Sequence, residues 1–229
     1  MKFFETFIWY AASTLDYFVQ MLPCMLVAAF CYFLLWPLRI KRLTRSGLAS
    51  RPIREGAMLL FFMYTAGLVS LTFFPAGYWG RVLGALFANT PLTPEEMRIF
   101  LPMPEILERI SDLPDLIRPL EEIRRAFRGN PWLVFILIGN IAMFVPIGFF
   151  SALLWHGGSW MRSTLVGFVF SVCVETFQFF IGRRTDIDDI ILNTLGAFFG
   201  FLLFFLLTRT RSDVTGHFLC YRREEDLDG

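Results

Sequence analysis

Five predominantly apolar stretches dominate the pattern along the chain: Phe18–Leu38, Gly56–Phe74, Trp132–Leu154, Ser163–Ile181 and Ile190–Leu207. Each matches the roughly 20 residues that a helix needs to cross a bilayer. Of all the Lys, Arg, Asp and Glu side chains, only Glu175 falls inside one of them. Bilayer hydrocarbon excludes ions this consistently, whereas the core of a water-soluble protein does not. The pattern therefore predicts an all-α polytopic membrane bundle of about five transmembrane helices.

Between the second and third stretches lies Pro75–Pro131, the one sizeable polar segment. Thr93-Pro94-Glu95-Glu96 has the form of a capping box with proline at the first helical position, and Leu116–Arg128 alternates apolar and charged groups at helical spacing. Prolines at 91, 94, 102, 104, 114 and 119 cut the segment into short pieces. Such pieces predict amphipathic helices resting on the outer face of the bundle. They would serve as a lid over an outward-facing site or as a connector that shields the helix ends. Before the first span, Phe3, Phe4, Phe7, Trp9 and Tyr10 predict an aromatic anchor at the interface, and Glu5 and Asp16 interrupt the apolar run that a signal peptide needs. The chain thus divides into an anchor with two spans (1–74), an extracytoplasmic loop (75–131), a three-helix core (132–207) and a cytoplasmic tail (208–229).

Composition narrows the function classes. A chain 55% hydrophobic and 18% charged lies outside the range of soluble globules, and a net charge of +1 gives no ground for a nucleic-acid partner. Membrane lipids are the expected surroundings. Arg39, Lys41, Arg42, Arg45, Arg51 and Arg54 fill the first loop, Arg162 lies in the third, and Arg209, Arg211, Arg222 and Arg223 lie in the tail. With the long loop set aside, only Lys2, Arg183 and Arg184 oppose them, so the positive-inside rule predicts an outside N-terminus and a cytoplasmic C-terminus. Cys24, Cys31, Cys173 and Cys220 are scattered without a CxxC pair, and His156 and His217 are isolated. No disulfide framework, histidine-based zinc site or His-centred triad is expected, and no cofactor is implied.

The chemistry concentrates in the last three spans. A carboxylate at membrane depth costs about 3 kcal/mol or more unless it is paired, which makes Glu175 a functional candidate. Gly167, Ser171, Glu175 and Gln178 share one face of the fourth helix. Asp186, Asp189, Asn193, Gly196 and Gly200 follow at spacings of 3, 4, 3 and 4 on the fifth, acidic at one end and glycine-lined further in. Gly196 and Gly200 form a GxxxG pair, so helices four and five are expected to pack antiparallel with their polar ends together. The third helix adds Asn140, with Phe144, Gly148 and Ser151 along its face and Pro146 loosening its backbone. Asn140, Glu175, Gln178, Arg183, Asp186, Asp189 and Asn193 would then form an outward-facing polar pocket. The competing arrangement is an internal staple in which Glu175 pairs with Arg183. Counting Asp188 and Arg184 as well, the mouth is acidic overall, suited to a cation, an amine or a metal-bridged phosphate.

Three segments of this region, Asn140 through Pro146-Ile147-Gly148-Phe149, then Ser171-x3-Glu175-x2-Gln178, then Arg183-x2-Asp186-Ile187-Asp188-Asp189-x3-Asn193-x2-Gly196-x3-Gly200, resemble the core pattern of the VanZ-like family. The resemblance covers about residues 130–207, and Thr72-Phe73-Phe74-Pro75 adds a weaker match. It implies a small multi-pass protein of the bacterial cell membrane, similar to one associated with low-level resistance to teicoplanin-type glycopeptide antibiotics. Two function classes follow. One is a non-enzymatic envelope factor whose pocket or loop engages a glycopeptide antibiotic, a lipid or a cell-wall precursor. The other is a metal-assisted membrane enzyme in which Glu175, Asp186 and Asp189 hold a divalent cation against a lipid phosphate or diphosphate. The lack of a Ser-His pair, a Cys-His pair or a phosphate-cradling glycine loop favours the first.

Overall fold

The computed structural model describes residues 2–75, 77–88, 91–94, 101–111, 120–129, 131–155, 158–183, 185–210 and 215–222, without the side chains of 2–14, 88 and 122. Eight helices appear among them: α1 (Lys2–Arg45), α2 (Pro52–Phe73), α3 (Tyr78–Ala88), α4 (Met103–Ser111), α5 (Glu121–Ala126), α6 (Pro131–Leu154), α7 (Trp160–Phe180) and α8 (Ile187–Thr210). Five of them, α1, α2, α6, α7 and α8, are long and apolar enough to cross a membrane. The fold is therefore an all-α membrane bundle. The capping-box start at Thr93 and Pro94 runs into residues outside the description, as does the first part of Leu116–Arg128, whose remainder forms α5.

Helix α1 runs without a break from the residues expected as an aromatic anchor into the first span. It begins at Lys2 and continues for 44 residues through Pro23 and Pro37, about 66 Å at 1.5 Å per residue, more than twice the hydrocarbon thickness. No glycine or proline precedes Pro23 to stop it. The other spans start where the sequence provides for it. Pro52 opens α2 with Glu55 in the first turn, and Asp188 and Asp189 occupy the first turn of α8, where negative charge suits the helix dipole.

Inside a membrane there is no hydrophobic drive between helices, so close approach depends on small residues. Helix α8 is the hub, packed most extensively on α6 and next on α7. A Cβ added to Gly148, Gly196 or Gly200 would collide with the backbone carbonyls of Ala197, Ile141 or Val145 respectively. The register rises together on both helices, so α6 and α8 run parallel in backbone contact. Helix α7 runs antiparallel to α8, with Gly167 against the Ala197 methyl and Ser171 against Asn193. This corrects the expected partner of the GxxxG pair, which is the third span and not the fourth. A stripe spaced 3, 4, 3, 4 spreads over two faces about 60° apart. Asp189, Gly196 and Gly200 turn to α6, while Asn193 and Ala197 turn to α7.

The remaining spans close around this core. Leu68, Phe144 and Ile147 form a buried cluster with Phe61, Tyr64, Met143 and Phe170 against it, and the Tyr64 hydroxyl donates to the Met143 carbonyl at 2.6 Å. Helix α1 meets α2 where Gly67 lies against Met21 and Met25, and where the Ser70 hydroxyl donates to the Gln20 carbonyl at 2.9 Å. At the end of the bundle opposite the long loop, Arg39 pairs with Glu55, which also accepts the Tyr32 hydroxyl at 2.8 Å. There Leu48–Ala49 pairs antiparallel with Tyr221–Arg222, and Arg51 lies over the Tyr221 ring at 5.5 Å. The buried Arg54 donates to the Leu154 carbonyl at 3.3 Å, a cation at the C-terminus of α6.

Candidate functional site

At the loop end of the bundle, the last turn of α7 faces the first turns of α8. Glu175 is only 3% exposed. One turn further on, the Gln178 amide, oriented with nitrogen toward the acid, donates to both carboxylate oxygens at 3.2 Å. The backbone N–H of Asp186 donates to Glu175 Oε2, also at 3.2 Å. Asp186 stands just before α8 and acts as its N-cap: its Oδ1 accepts the Asp188 N–H at 3.0 Å, so a helix-capping carboxylate presents its own N–H to a second acid. Asp186 and Asp189 are the charged neighbours of Glu175.

Two further pairs join the helices at this level. Asn140 of α6 donates to Asp189 of α8, and Asn193 of α8 donates to the buried Ser171 hydroxyl of α7 at 2.9 Å. Each pair is a short polar bridge beside a glycine contact, where the backbones are close enough for small amides to reach across. Six of the seven expected site residues, Asn140, Glu175, Gln178, Asp186, Asp189 and Asn193, thus meet across three helices.

Arg183 does not join them as a counter-ion. Its guanidinium donates to the carbonyls of Leu71 at 2.8 Å, Thr72 at 3.2 Å and Phe74 at 2.8 Å, closing the C-terminus of α2. Burial lowers its pKa from the usual arginine range, though a guanidinium keeps its charge. The Glu175–Arg183 pair of the competing staple arrangement is absent, and among the described residues no cationic side chain pairs with Glu175. The physical reason is local. Gly182, at φ +79°, turns the chain away from α7, and the unsatisfied carbonyls at the end of α2 attract the positive group.

Comparison with known families settles the assignment. The VanZ/LLP1 family model matches residues 61–208, well over half of the chain. The chain belongs to the VanZ/LLP1 family. The match takes in the later part of α2 and the long loop as well as the last three spans, so it extends beyond the 130–207 core that the motifs suggested. No curated protein and no solved structure matches the chain.

Within the span matched to VanZ/LLP1, the loop is tied to the cluster by residues outside the seven expected in the pocket. Asp188 is fully buried and accepts two backbone N–H groups at the start of α5, from Leu120 and, at 3.2 Å, from Ile123. Helix α5 has no capping side chain of its own and enters through Leu120 at φ 65°, so Asp188 supplies the cap from another helix. Ile123 and Ala126 then pack on Leu137 and Leu192. Arg109 of α4 donates to the Arg183 carbonyl at 2.6 Å, and the Leu101 N–H donates to the Phe180 carbonyl at 3.0 Å. A capless helix near an acid run was a usable signal for Asp188. Nothing in the sequence pointed to Arg109. Among the described residues, no group of three or more His, Cys, Asp or Glu side chains is placed to hold a metal ion.

Proposed function

We propose that this VanZ/LLP1 protein lowers susceptibility to teicoplanin-type glycopeptides without catalysis, through an outward-facing polar pocket that binds a positively charged group of its ligand. On this reading the N-terminus and the loop end lie outside a bacterial membrane and the basic flanks lie in the cytoplasm. The single observation that carries it is Glu175, a buried carboxylate held by two neutral donors beside Asp186 and Asp189, with the nearby Arg183 committed elsewhere. A carboxylate kept so deep is stabilised by a counter-charge, and an amine of a glycopeptide or of a cell-wall precursor supplies one.

The test is expression in a susceptible Gram-positive host. The unaltered chain should raise the inhibitory concentration of teicoplanin, and Glu175→Gln should accumulate normally yet give no protection. Absence of protection by the unaltered chain, or full protection by Glu175→Gln at normal abundance, overturns the reading.

A further inference from the structure

Helix α4 leaves its apolar face uncovered. Met103, Leu107 and Ile110 follow at i, i+4 and i+7 on one stripe and are 67%, 60% and 50% exposed. Glu105 and Glu108 lie across the helix from them, also exposed. The flank between the two faces carries Ile106 and Arg109, and this flank meets the bundle: the Arg109 guanidinium lies 5.1 Å over the Phe179 ring and donates to the Arg183 carbonyl. A surface helix that docks by its apolar stripe buries that stripe. This one turns it about a quarter-turn away from the protein.

Both ends of α4 are tied to the same level of the bundle. Leu101, two residues before the helix, donates to the Phe180 carbonyl, and Arg109 in its last turn bonds at residue 183. Phe180 ends a membrane span, so the axis of α4 crosses that end at the depth where hydrocarbon meets headgroups. At this depth an apolar stripe has acyl chains within reach, and the two carboxylates opposite have water. Helix α3 repeats the arrangement beside α2. The Trp79 indole donates to Ser70 Oγ at 3.0 Å and its ring packs on Phe74 at 4.8 Å, while Leu86 and Phe87 are 73% and 88% exposed.

We propose that α3 and α4 are seated in the bilayer interface, with the Met103, Leu107 and Ile110 stripe immersed in the leaflet at the loop end. These two helices then form a membrane-bound collar beside the mouth of the acidic cluster, whatever that cluster binds. The attachment is hydrophobic: α4 carries Glu105 and Glu108 against one arginine that is already engaged on the bundle. Zwitterionic lipid is sufficient.

The experiment uses the full chain in phosphatidylcholine nanodiscs, with Cys24, Cys31, Cys173 and Cys220 replaced by serine and one environment-sensitive fluorophore on Leu107→Cys or Glu108→Cys. The Leu107 label should lose about twice as much emission to shallow spin-labelled lipid as the Glu108 label, and the order should reverse with aqueous iodide. Met103→Cys and Ile110→Cys should follow Leu107, and added anionic phosphatidylglycerol should leave the pattern unchanged. Equal iodide access at Leu107 and Glu108, or a Leu107 label that neither quencher reaches because protein covers it, overturns the proposal, as does a need for anionic lipid. Should the cysteine-free chain fail to accumulate, the unaltered chain is photolabelled with phosphatidylcholine carrying a reactive group near the glycerol. Labelling over 103–110 supports the collar, and its absence there refutes it.

Discussion

Ala197 lies where α6, α7 and α8 meet and is completely buried. A Cβ on Gly167 would strike the Ala197 methyl, and the next nearest atoms are 3.7 and 3.9 Å away. A Cβ on Gly148 would strike the Ala197 backbone, with the carbonyl carbon at 2.6 Å and Cα at 2.7 Å behind the carbonyl oxygen. Removing the Ala197 methyl therefore makes room for Gly167→Ala and none for Gly148→Ala. Forcing a methyl into a packed interior costs about 1–3 kcal/mol. Gly167→Ala should lie near the middle of that range and Gly148→Ala at its top, because a carbonyl in a helix cannot rotate aside. Ala197→Gly alone should cost about 1 kcal/mol through the lost methyl and the looser helix. Combined with Gly167→Ala it should recover about 1–2 kcal/mol, a coupling expected for residues in contact, whereas combined with Gly148→Ala it should recover nothing. The assay is unfolding of the full chain in mild detergent, followed by circular dichroism across a denaturant series. Equal rescue of both glycine variants, or of neither, refutes the three-helix crossing as described.

Two other expectations follow from the same contacts. Asp188→Ala leaves two N–H groups at the start of α5 without their acceptor, a loss of about 1–3 kcal/mol; amide exchange should accelerate in Glu121–Ala126 and not in α7, and unchanged exchange in α5 would refute the capping role. Reporter fusions after Gly47 and after Gly216 should both behave as cytoplasmic, because these positions lie in the most basic flanks; an extracytoplasmic signal at either reverses the proposed orientation.

The spans were legible in the sequence because hydrocarbon imposes one strong rule, the exclusion of charge, and Glu175 stands out as its one exception. The residues of the polar cluster were legible for a related reason: helical spacing alone puts Glu175 beside Gln178, and Asp189 in line with Asn193 and Gly196. Which neighbour each face meets was not legible. Gly196 and Gly200 turn to α6, and Arg183 turns to the carbonyls of α2, a segment more than 100 residues earlier in the chain. Backbone carbonyls leave no trace in side-chain patterns, so an arginine that caps a distant helix reads like an ion-pair partner for the nearest acid. The same blindness hid the role of Asp188, counted only as a charge at the mouth, whose partners are backbone N–H groups of the loop.

Binding of teicoplanin to the purified chain in phosphatidylcholine nanodiscs tests the proposed pocket most directly. The account predicts saturable binding that survives a chelator and is lost in both Glu175→Gln and Asp189→Asn, while the two variants keep the helicity and unfolding behaviour of the unaltered chain. Undiminished binding by well-folded Glu175→Gln protein, or no binding by the unaltered chain, would contradict it.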